Sequence, residues 1–259
     1  MSGRLREIAR RTVEIADTGA YETPSGVRVA IDAAGAAAET RMYTPGIALR
    51  PKGSSAAAEI EVTHESTLEA ARRLAPDVAC LIFASAKNPG GGFLGGAQAQ
   101  EESVARASGL YRCLMTEPDF YAYHRSQGDL RYSDRVIHSP AVPVFRDDRG
   151  RLLEEPYEAA MITAAAPNLG AILRNTPELA ESVPDVLARR AARVLTVAAA
   201  HGHRTLVLGA WGCGVFRNEP RTVAEAFRGA LEAVPYFDRV VFAIYGGGRA
   251  SEEFEGVFG

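Results

Sequence analysis

The pattern of apolar and polar residues along the chain predicts helices and strands in alternation. Apolar residues recur at intervals of three and four between residues 3 and 18, which predicts an amphipathic helix that ends at Gly19. Residues 58–63 alternate between the two classes, as a half-buried strand does. Ser66 and Glu69 then have the spacing of a capping box, so a helix is expected to begin there.

The same pattern continues to the end of the chain and indicates the class of fold. Further strands are predicted at residues 27–31, 77–84, 136–139, 142–145, 159–165, 205–209 and 240–245. Further helices are predicted at residues 104–115 and 183–201 and after residue 218. This order is typical of an α/β domain whose parallel or mixed sheet is covered by helices on its faces.

A change of pattern near residue 55 divides the chain into two parts. Residues 1–55 are expected to form an N-terminal extension packed on the core, with residues 51–55 as its exposed link. Residues 56–259 are expected to form the α/β domain. Within the extension, residues 23–26 read as a turn, whereas the Ala/Gly-rich residues 33–38 give no clear prediction.

A glycine-rich loop follows the apolar strand at residues 77–84. It begins with Asn88 and Pro89, continues through Gly90-Gly91-Gly92, and ends in Gln100-Glu101-Glu102 at the start of the next helix. Glycines without Cβ atoms let backbone N–H groups approach a ligand closely. A plainer interpretation is that the glycines only permit a tight connection and that the acids favour the helix N-terminus. A single glycine-rich loop does not decide between the two.

A second loop of the same kind follows the strand at residues 205–209. It contains Gly212, Gly214, Val215 and Phe216 and leads into another helix. Two glycine loops at strand ends can present many backbone N–H donors to an anion at short range. Lys87 precedes the first glycines in the wrong register for a Walker lysine, so neutral N–H groups would hold the anion.

The spacing of the first loop resembles a known family signature. Gly90-Gly91-Gly92, followed after seven residues by Gln100-Glu101-Glu102, resembles the signature loop of poly(ADP-ribose) glycohydrolases. With the second loop, residues 58–248 resemble the macrodomain, a three-layer α/β/α fold with a mixed central sheet, here with an N-terminal helical extension. The chain is most similar to the short bacterial type of this enzyme. The resemblance implies hydrolysis of ribose–ribose O-glycosidic bonds in poly(ADP-ribose), from chain ends, with release of ADP-ribose.

The resemblance also implies a role for each matching residue. It places Glu102 as the catalytic acid/base and Glu101 against a ribose hydroxyl at the scissile bond. The remaining matches imply substrate contacts to the diphosphate, the distal ribose or the adenine, and these residues are Asn88, Gly90, Gly91, Gly92, Gln100, Gly212, Gly214, Val215, Phe216, Tyr245 and Glu65. Of these, Glu65 and Tyr245 are matched to the adenine by position alone.

Composition limits the partners that the chain is expected to bind. The 259 residues carry a net charge of −3, so no bulk cationic field favours nucleic acid, and no apolar run is long enough to cross a bilayer. Cys80, Cys113 and Cys213 lack the spacing of a disulfide framework or a zinc site. His201 and His203 are interpreted as part of a helix end. A cytoplasmic monomer without metal or cofactor is therefore expected.

Two other functions stay open at the level of sequence. A macrodomain that binds terminal ADP-ribose without chemistry would need the glycines but not the acids Glu101 and Glu102, so the acids favour a hydrolase. A hydrolase that removes single ADP-ribose units from protein or nucleic acid would use the same loops. The sequence does not separate this activity from cleavage of the polymer.

Overall fold

The computed structural model describes residues 2–51 and 57–259 and has a seven-stranded mixed sheet at its centre. The strands in these ranges are β1 (Ala20–Glu22), β2 (Arg28–Ala30), β3 (Arg41–Tyr43), β4 (Glu59–Thr63), β5 (Val78–Phe83), β6 (Val136–Arg146), β7 (Leu152–Ala164), β8 (Thr205–Leu208) and β9 (Arg239–Ala243). The α-helices are α1 (Ser2–Thr18), α2 (Ala33–Ala38), α3 (Thr67–Leu74), α4 (Gln100–Ala107), α5 (Leu110–Leu114), α6 (Pro118–Ser126), α7 (Leu169–Asn175), α8 (Val183–Ala200), α9 (Pro220–Ala233) and α10 (Arg249–Phe258). Short 3-10 turns lie at Phe93–Gly95 and Pro177–Ser182.

The central sheet has the order β3-β6-β7-β5-β8-β9-β4. Strands β7, β5, β8, β9 and β4 are parallel to one another, whereas β6 is antiparallel to both β3 and β7. Buried side chains of α8, α9 and α10 cover one face, and those of α3 to α6 cover the other. The parallel strands therefore end together at one edge, where ligands bind in folds of this kind.

Three predicted elements are joined or divided in the structure. The strands predicted at residues 136–139 and 142–145 form one strand, β6, whose register shifts between Ser139 and Val142. The helix predicted over residues 104–115 is divided into α4 and α5. Gly109 donates its N–H to the Pro143 carbonyl at 2.9 Å, and Ser108 bridges to Val144. Hydrogen bonds to β6 thus replace those that a continuous helix would make.

The N-terminal segment packs on the helix that carries the paired acids. The Thr12 hydroxyl of α1 donates to the Arg106 carbonyl of α4 at 2.7 Å and accepts from Nε of Arg146 at 2.9 Å. Residues 33–38, which gave no clear prediction, form α2, and the Asp32 side chain caps it. Strand β3 extends the central sheet beside β6. The expected boundary between residues 55 and 56 lies outside the described residues.

The C-terminal segment forms a helix for which the sequence pattern gave little signal. Residues 246–248, three glycines with positive φ, lead into α10. The rings of Phe254 and Phe258 pack on Phe242 with centroid distances of 5.2 and 4.4 Å. Packing on β9 thus stabilises this short helix. No helix among residues 2–51 and 57–259 is long and apolar enough to cross a membrane.

Candidate active site

A cleft of about 990 Å³ lies where the parallel strands end. Residues that follow β5, β7, β8 and β9 line it, together with the first turns of α3 and α4. The strand order brings the two glycine loops, which are more than one hundred residues apart in sequence, to the two central strands β5 and β8. The topology therefore assembles the site that the two loops predicted.

The first loop needs its glycines to make room for protein atoms. Gly90 and Gly91 have φ values of +67° and +60°, which residues other than glycine rarely adopt. A Cβ atom on Gly91 would overlap the Glu102 carboxylate, and one on Gly90 would lie 2.9 Å from the buried Phe93 ring. The plainer interpretation of the loop is therefore incomplete, because the glycines also fix where Glu102 lies.

Gln100 joins the start of α4 to the end of β5. Its side-chain oxygen accepts from the Phe83 N–H at 2.9 Å. Its side-chain nitrogen donates to the Leu81 carbonyl at 2.8 Å and to the Thr67 hydroxyl at 3.1 Å. The amide is thus fully engaged within the protein, and its geometry sets the position of the two acids that follow.

Glu101 is a carboxyl group that is almost fully buried, with 2% of the residue exposed. Its Oε2 accepts from the Ser85 N–H at 2.6 Å, whereas its Oε1 has no hydrogen-bond partner among the described residues. Burial raises the pKa of Glu101 well above its usual range, and the nearby Glu102 charge raises it further. Because this buried oxygen lies beside the cleft without a partner, it can accept a hydrogen bond from a ligand hydroxyl.

Glu102 is half-buried and lines the same cleft. Its Oε1 accepts from the Gly92 N–H at 3.0 Å, so the loop holds one carboxylate oxygen. One turn further along α4, the Arg106 guanidinium donates to the Ala97 carbonyl at 2.6 Å and ties the loop to the helix. The carboxylate is therefore held by backbone while its side chain borders the space that a substrate would occupy.

The second loop is anchored by two side chains that sequence reasoning missed. Trp211 Nε1 donates to the Ala164 carbonyl at 3.0 Å, and Asn218 Nδ2 donates to the Pro167 carbonyl at 2.9 Å. Gly212 has a φ of +74°, and a Cβ there would lie 2.6 Å from that of Ala166. The sequence feature that could have indicated them is a Trp and an Asn on either side of a glycine loop. They hold the loop against the end of β7.

The free backbone donors of this loop lie in consecutive residues. In the described part of the chain, the N–H groups of Gly214, Val215 and Phe216 have no hydrogen-bond acceptor, and all three residues line the cleft. Val215 is 81% exposed, and the half-buried Phe216 ring lies 6.0 Å from Tyr132. Three adjacent N–H donors can bind an anion without a basic side chain.

Comparison with known proteins places the chain in a family. Residues 9–147 match the family model of the catalytic domain of microbial-type PARG, where PARG is poly(ADP-ribose) glycohydrolase. The crystal structure of this enzyme from Thermomonospora curvata is 48% identical, with a TM-score of 0.89 and 98% of each chain covered. The chain belongs to the microbial-type poly(ADP-ribose) glycohydrolase family. The predicted fold class, function and glycosidase activity are thereby confirmed.

Two crystal structures of PARG enzymes with bound ligands are also similar to the chain. The Thermomonospora curvata enzyme bound to the inhibitor ADP-HPD is 48% identical, with a TM-score of 0.85 and 98% of each chain covered. The enzyme from Deinococcus radiodurans in complex with ADP-ribose is 47% identical, with a TM-score of 0.82, and the match covers 87% of this chain and 96% of that one. No curated protein matches the chain.

The PARG cleft brings most of the predicted site residues together. Its lining includes both acids and the predicted residues Asn88, Gly91, Gly92, Gln100, Gly212, Gly214, Val215, Phe216 and Tyr245. Gly90 lies buried under the first loop, and the Glu65 carboxylate pairs with Arg73 at 2.7 Å outside the lining. Tyr245 is 79% exposed at the cleft rim.

An acidic residue from a distant hairpin also lines the PARG cleft and was not predicted. Asp148, in the turn between β6 and β7, accepts from the Ser66 hydroxyl at 2.7 Å. Burial raises the pKa of its carboxyl group. In the sequence this turn is a run of charged residues between two strands, and no local pattern indicates that it reaches the start of α3.

Cys213 and His201 were not predicted to be site residues. Burial raises the pKa of Cys213 to about 12, which disfavours the thiolate that a nucleophile needs. His201 lies at the C-terminal end of α8, and its ring stacks on the His138 ring with a centroid distance of 3.6 Å. Among the described residues, no group of His, Cys, Asp or Glu is arranged to hold a metal ion.

Proposed function

We propose that Glu102 is the acid/base with which this chain cleaves ribose–ribose bonds of poly(ADP-ribose) from chain ends. The observation that carries the proposal is its carboxylate, held at 3.0 Å by Gly92 N–H and bordering the cleft between the two glycine loops. Glycoside cleavage passes through an oxocarbenium-like state and needs a proton on the leaving oxygen. Protonated Glu102 donates that proton, and the carboxylate then accepts one from the attacking water.

Glu101 binds the substrate rather than exchanging protons with the leaving group. Its Oε1 is buried and unpartnered among the described residues, while Oε2 is held by Ser85. A ribose hydroxyl can hydrogen-bond to this carboxyl group in either protonation state, since the hydroxyl both donates and accepts. This contact places the anomeric carbon of the distal ribose beside Glu102.

The diphosphate of the terminal ADP-ribose lies against the second loop. The free N–H groups of Gly214, Val215 and Phe216 supply its donors, and Gly212 provides the turn that exposes them. The diphosphate charge close to the distal ribose stabilises the developing cation. Asn88 and Phe216 flank that ribose, and Tyr245 packs at the adenine end. Glu65 would contact adenine only after release from Arg73.

The experiment that tests this proposal measures ADP-ribose released from purified poly(ADP-ribose). Glu102→Gln preserves shape and removes the titratable carboxyl group, so we expect lost turnover with intact ADP-ribose binding. If single ADP-ribose units are the only product released early in the reaction, the result supports cleavage from chain ends. A native protein that binds ADP-ribose but releases nothing is a reader, and one that acts only on mono-ADP-ribosylated protein or nucleic acid has the alternative activity.

We also propose that the protein acts as a cytoplasmic monomer, with poly(ADP-ribose) or ADP-ribosylated macromolecules as substrate. Direct binding to nucleic acid or membranes is not expected, since the net charge of −3 disfavours it. The cysteines are free, which suits a reducing compartment. No cofactor is required. Light scattering at enzyme concentrations used in the assay tests the monomer, and a dimer mass contradicts it.

A further inference from the structure

Three basic residues adjoin the two glycine loops, either in sequence or through a hydrogen bond. Lys87 immediately precedes Asn88 of the first loop, and Arg217 immediately follows Phe216 of the second. Asn88 and Phe216 both line the cleft. Arg125, near the end of α6, donates from Nη1 to the Lys87 carbonyl at 2.6 Å. These three residues form what we call the cationic rim.

The charges of the cationic rim are not neutralised by the protein. Across residues 2–51 and 57–259, no ion pair involves Lys87, Arg125 or Arg217, and all three are exposed. By contrast, the nearby Arg131 pairs with Asp129 at 2.8 Å. In a chain with a net charge of −3, these unpaired cations next to cleft-lining residues can attract an anion.

Contacts that do not involve carboxylates hold two of these residues in place. The Arg125 bond to the Lys87 carbonyl ties the end of α6 to the turn before Asn88. Arg217 has a φ of +58°, and its side chain packs over Gly170, where a Cβ would lie 3.0 Å from Arg217 Cδ. The Gly170 N–H also donates to the Phe216 carbonyl at 2.9 Å. The positions are fixed while the charges stay available to a ligand.

The chemistry of the polymer places a second anion near this rim. In poly(ADP-ribose), the leaving oxygen belongs to the adenosine ribose of the next unit, and the 5′ oxygen of that ribose carries a diphosphate. With the distal ribose of the terminal unit between Asn88, Phe216 and Glu102, the next unit begins close to Lys87 and Arg217, the chain neighbours of Asn88 and Phe216. We propose that the cationic rim binds the diphosphate of this next ADP-ribose unit, an inference that rests on the proposed function.

Two substrates with the same scissile bond isolate this contact. One is the dimer of ADP-ribose, and the other is ADP-ribose linked through the same bond to adenosine, which lacks the second diphosphate. Lys87→Gln and Arg217→Gln, alone and combined, remove rim charge while keeping a polar side chain. Arg228→Gln on α9 is the matched control, because Arg228 is also exposed and unpaired in the described part of the chain. The kcat/KM of each enzyme is measured on both substrates.

We expect native enzyme to prefer the dimer, and each rim substitution to lower kcat/KM on the dimer about two- to fivefold, the range of one exposed ion pair. Cleavage of the adenosine substrate and the Kd for ADP-ribose should not change, and added salt should reduce the preference. If the native enzyme cleaves both substrates at equal rates, or if the variants lose activity equally on both, the proposal for the cationic rim is refuted while the proposed function stands. A native enzyme that cleaves neither overturns the proposed function and the rim with it.

Discussion

Replacing Gly91 with alanine tests whether this glycine positions the acid/base. Gly91 has a φ of +60°, and a Cβ there would overlap the Glu102 carboxylate. The left-handed conformation costs an alanine about 1–2 kcal/mol. Displacing Glu102 from the Gly92 N–H loses a hydrogen bond that contributes about 0.5–1.5 kcal/mol. The free energy of unfolding should therefore fall by about 1.5–3.5 kcal/mol for Gly91→Ala.

Gly91→Ala should also lower activity in the molecules that stay folded. A displacement of about 1 Å at a catalytic group costs about a hundredfold in rate. We therefore expect kcat for ADP-ribose release to fall by about two orders of magnitude, at temperatures where urea titration shows the variant folded. The same preparation should still bind ADP-ribose, although the Kd is expected to rise because the loop shifts.

Gly95→Ala is the matched control for this loop. No heavy atom lies within 4 Å of a Cβ built on Gly95, and its φ is outside the left-handed range. Its stability and kcat should stay close to those of the native protein. If Gly91→Ala retains native kcat, or if both variants lose activity equally, the loop does not position Glu102 in the way described.

Three further predictions concern buried polar groups. Because burial raises the pKa of Glu101 above its unfolded value, native stability should fall as pH rises from about 4.5 through the raised pKa, and Glu101→Gln should remove this fall in urea titrations at several pH values. Thr12→Val should destabilise by about 1–3 kcal/mol, since it leaves the Arg146 Nε without its acceptor, and unchanged thermal unfolding would contradict this. Cys213→Ala should retain kcat, whereas its loss would indicate a nucleophilic thiol.

The sequence was most informative where a local pattern and a chemical need coincide. The order of strands, glycine loops and helices predicted the parallel part of the sheet, and the edge at which the strands end brings Glu102 and Phe216 to one cleft. Apolar runs and glycine breaks are local signals, so they can be read from the sequence without knowing which residues are in contact in the fold. The topology rule that places ligands at strand ends then supplied the position of the site.

Features that depend on distant contacts could not be predicted. Asp148 reaches the cleft because the β6–β7 hairpin extends to Ser66 at the start of α3, and nothing near Asp148 in sequence indicates this. The break between α4 and α5 depends on hydrogen bonding of Gly109 to β6. Helix α10 depends on aromatic packing against Phe242. In each case a tertiary partner determines the local structure.

The central claim is that Glu102 performs proton transfer within a binding site built by two glycine loops. The most direct test compares native enzyme with Glu102→Gln for ADP-ribose release from poly(ADP-ribose), and measures the Kd for ADP-ribose on both. Turnover that is lost in the variant while the Kd stays within a factor of about three (about 0.7 kcal/mol) agrees with the account. A Glu102→Gln variant that still releases ADP-ribose at the native rate contradicts it.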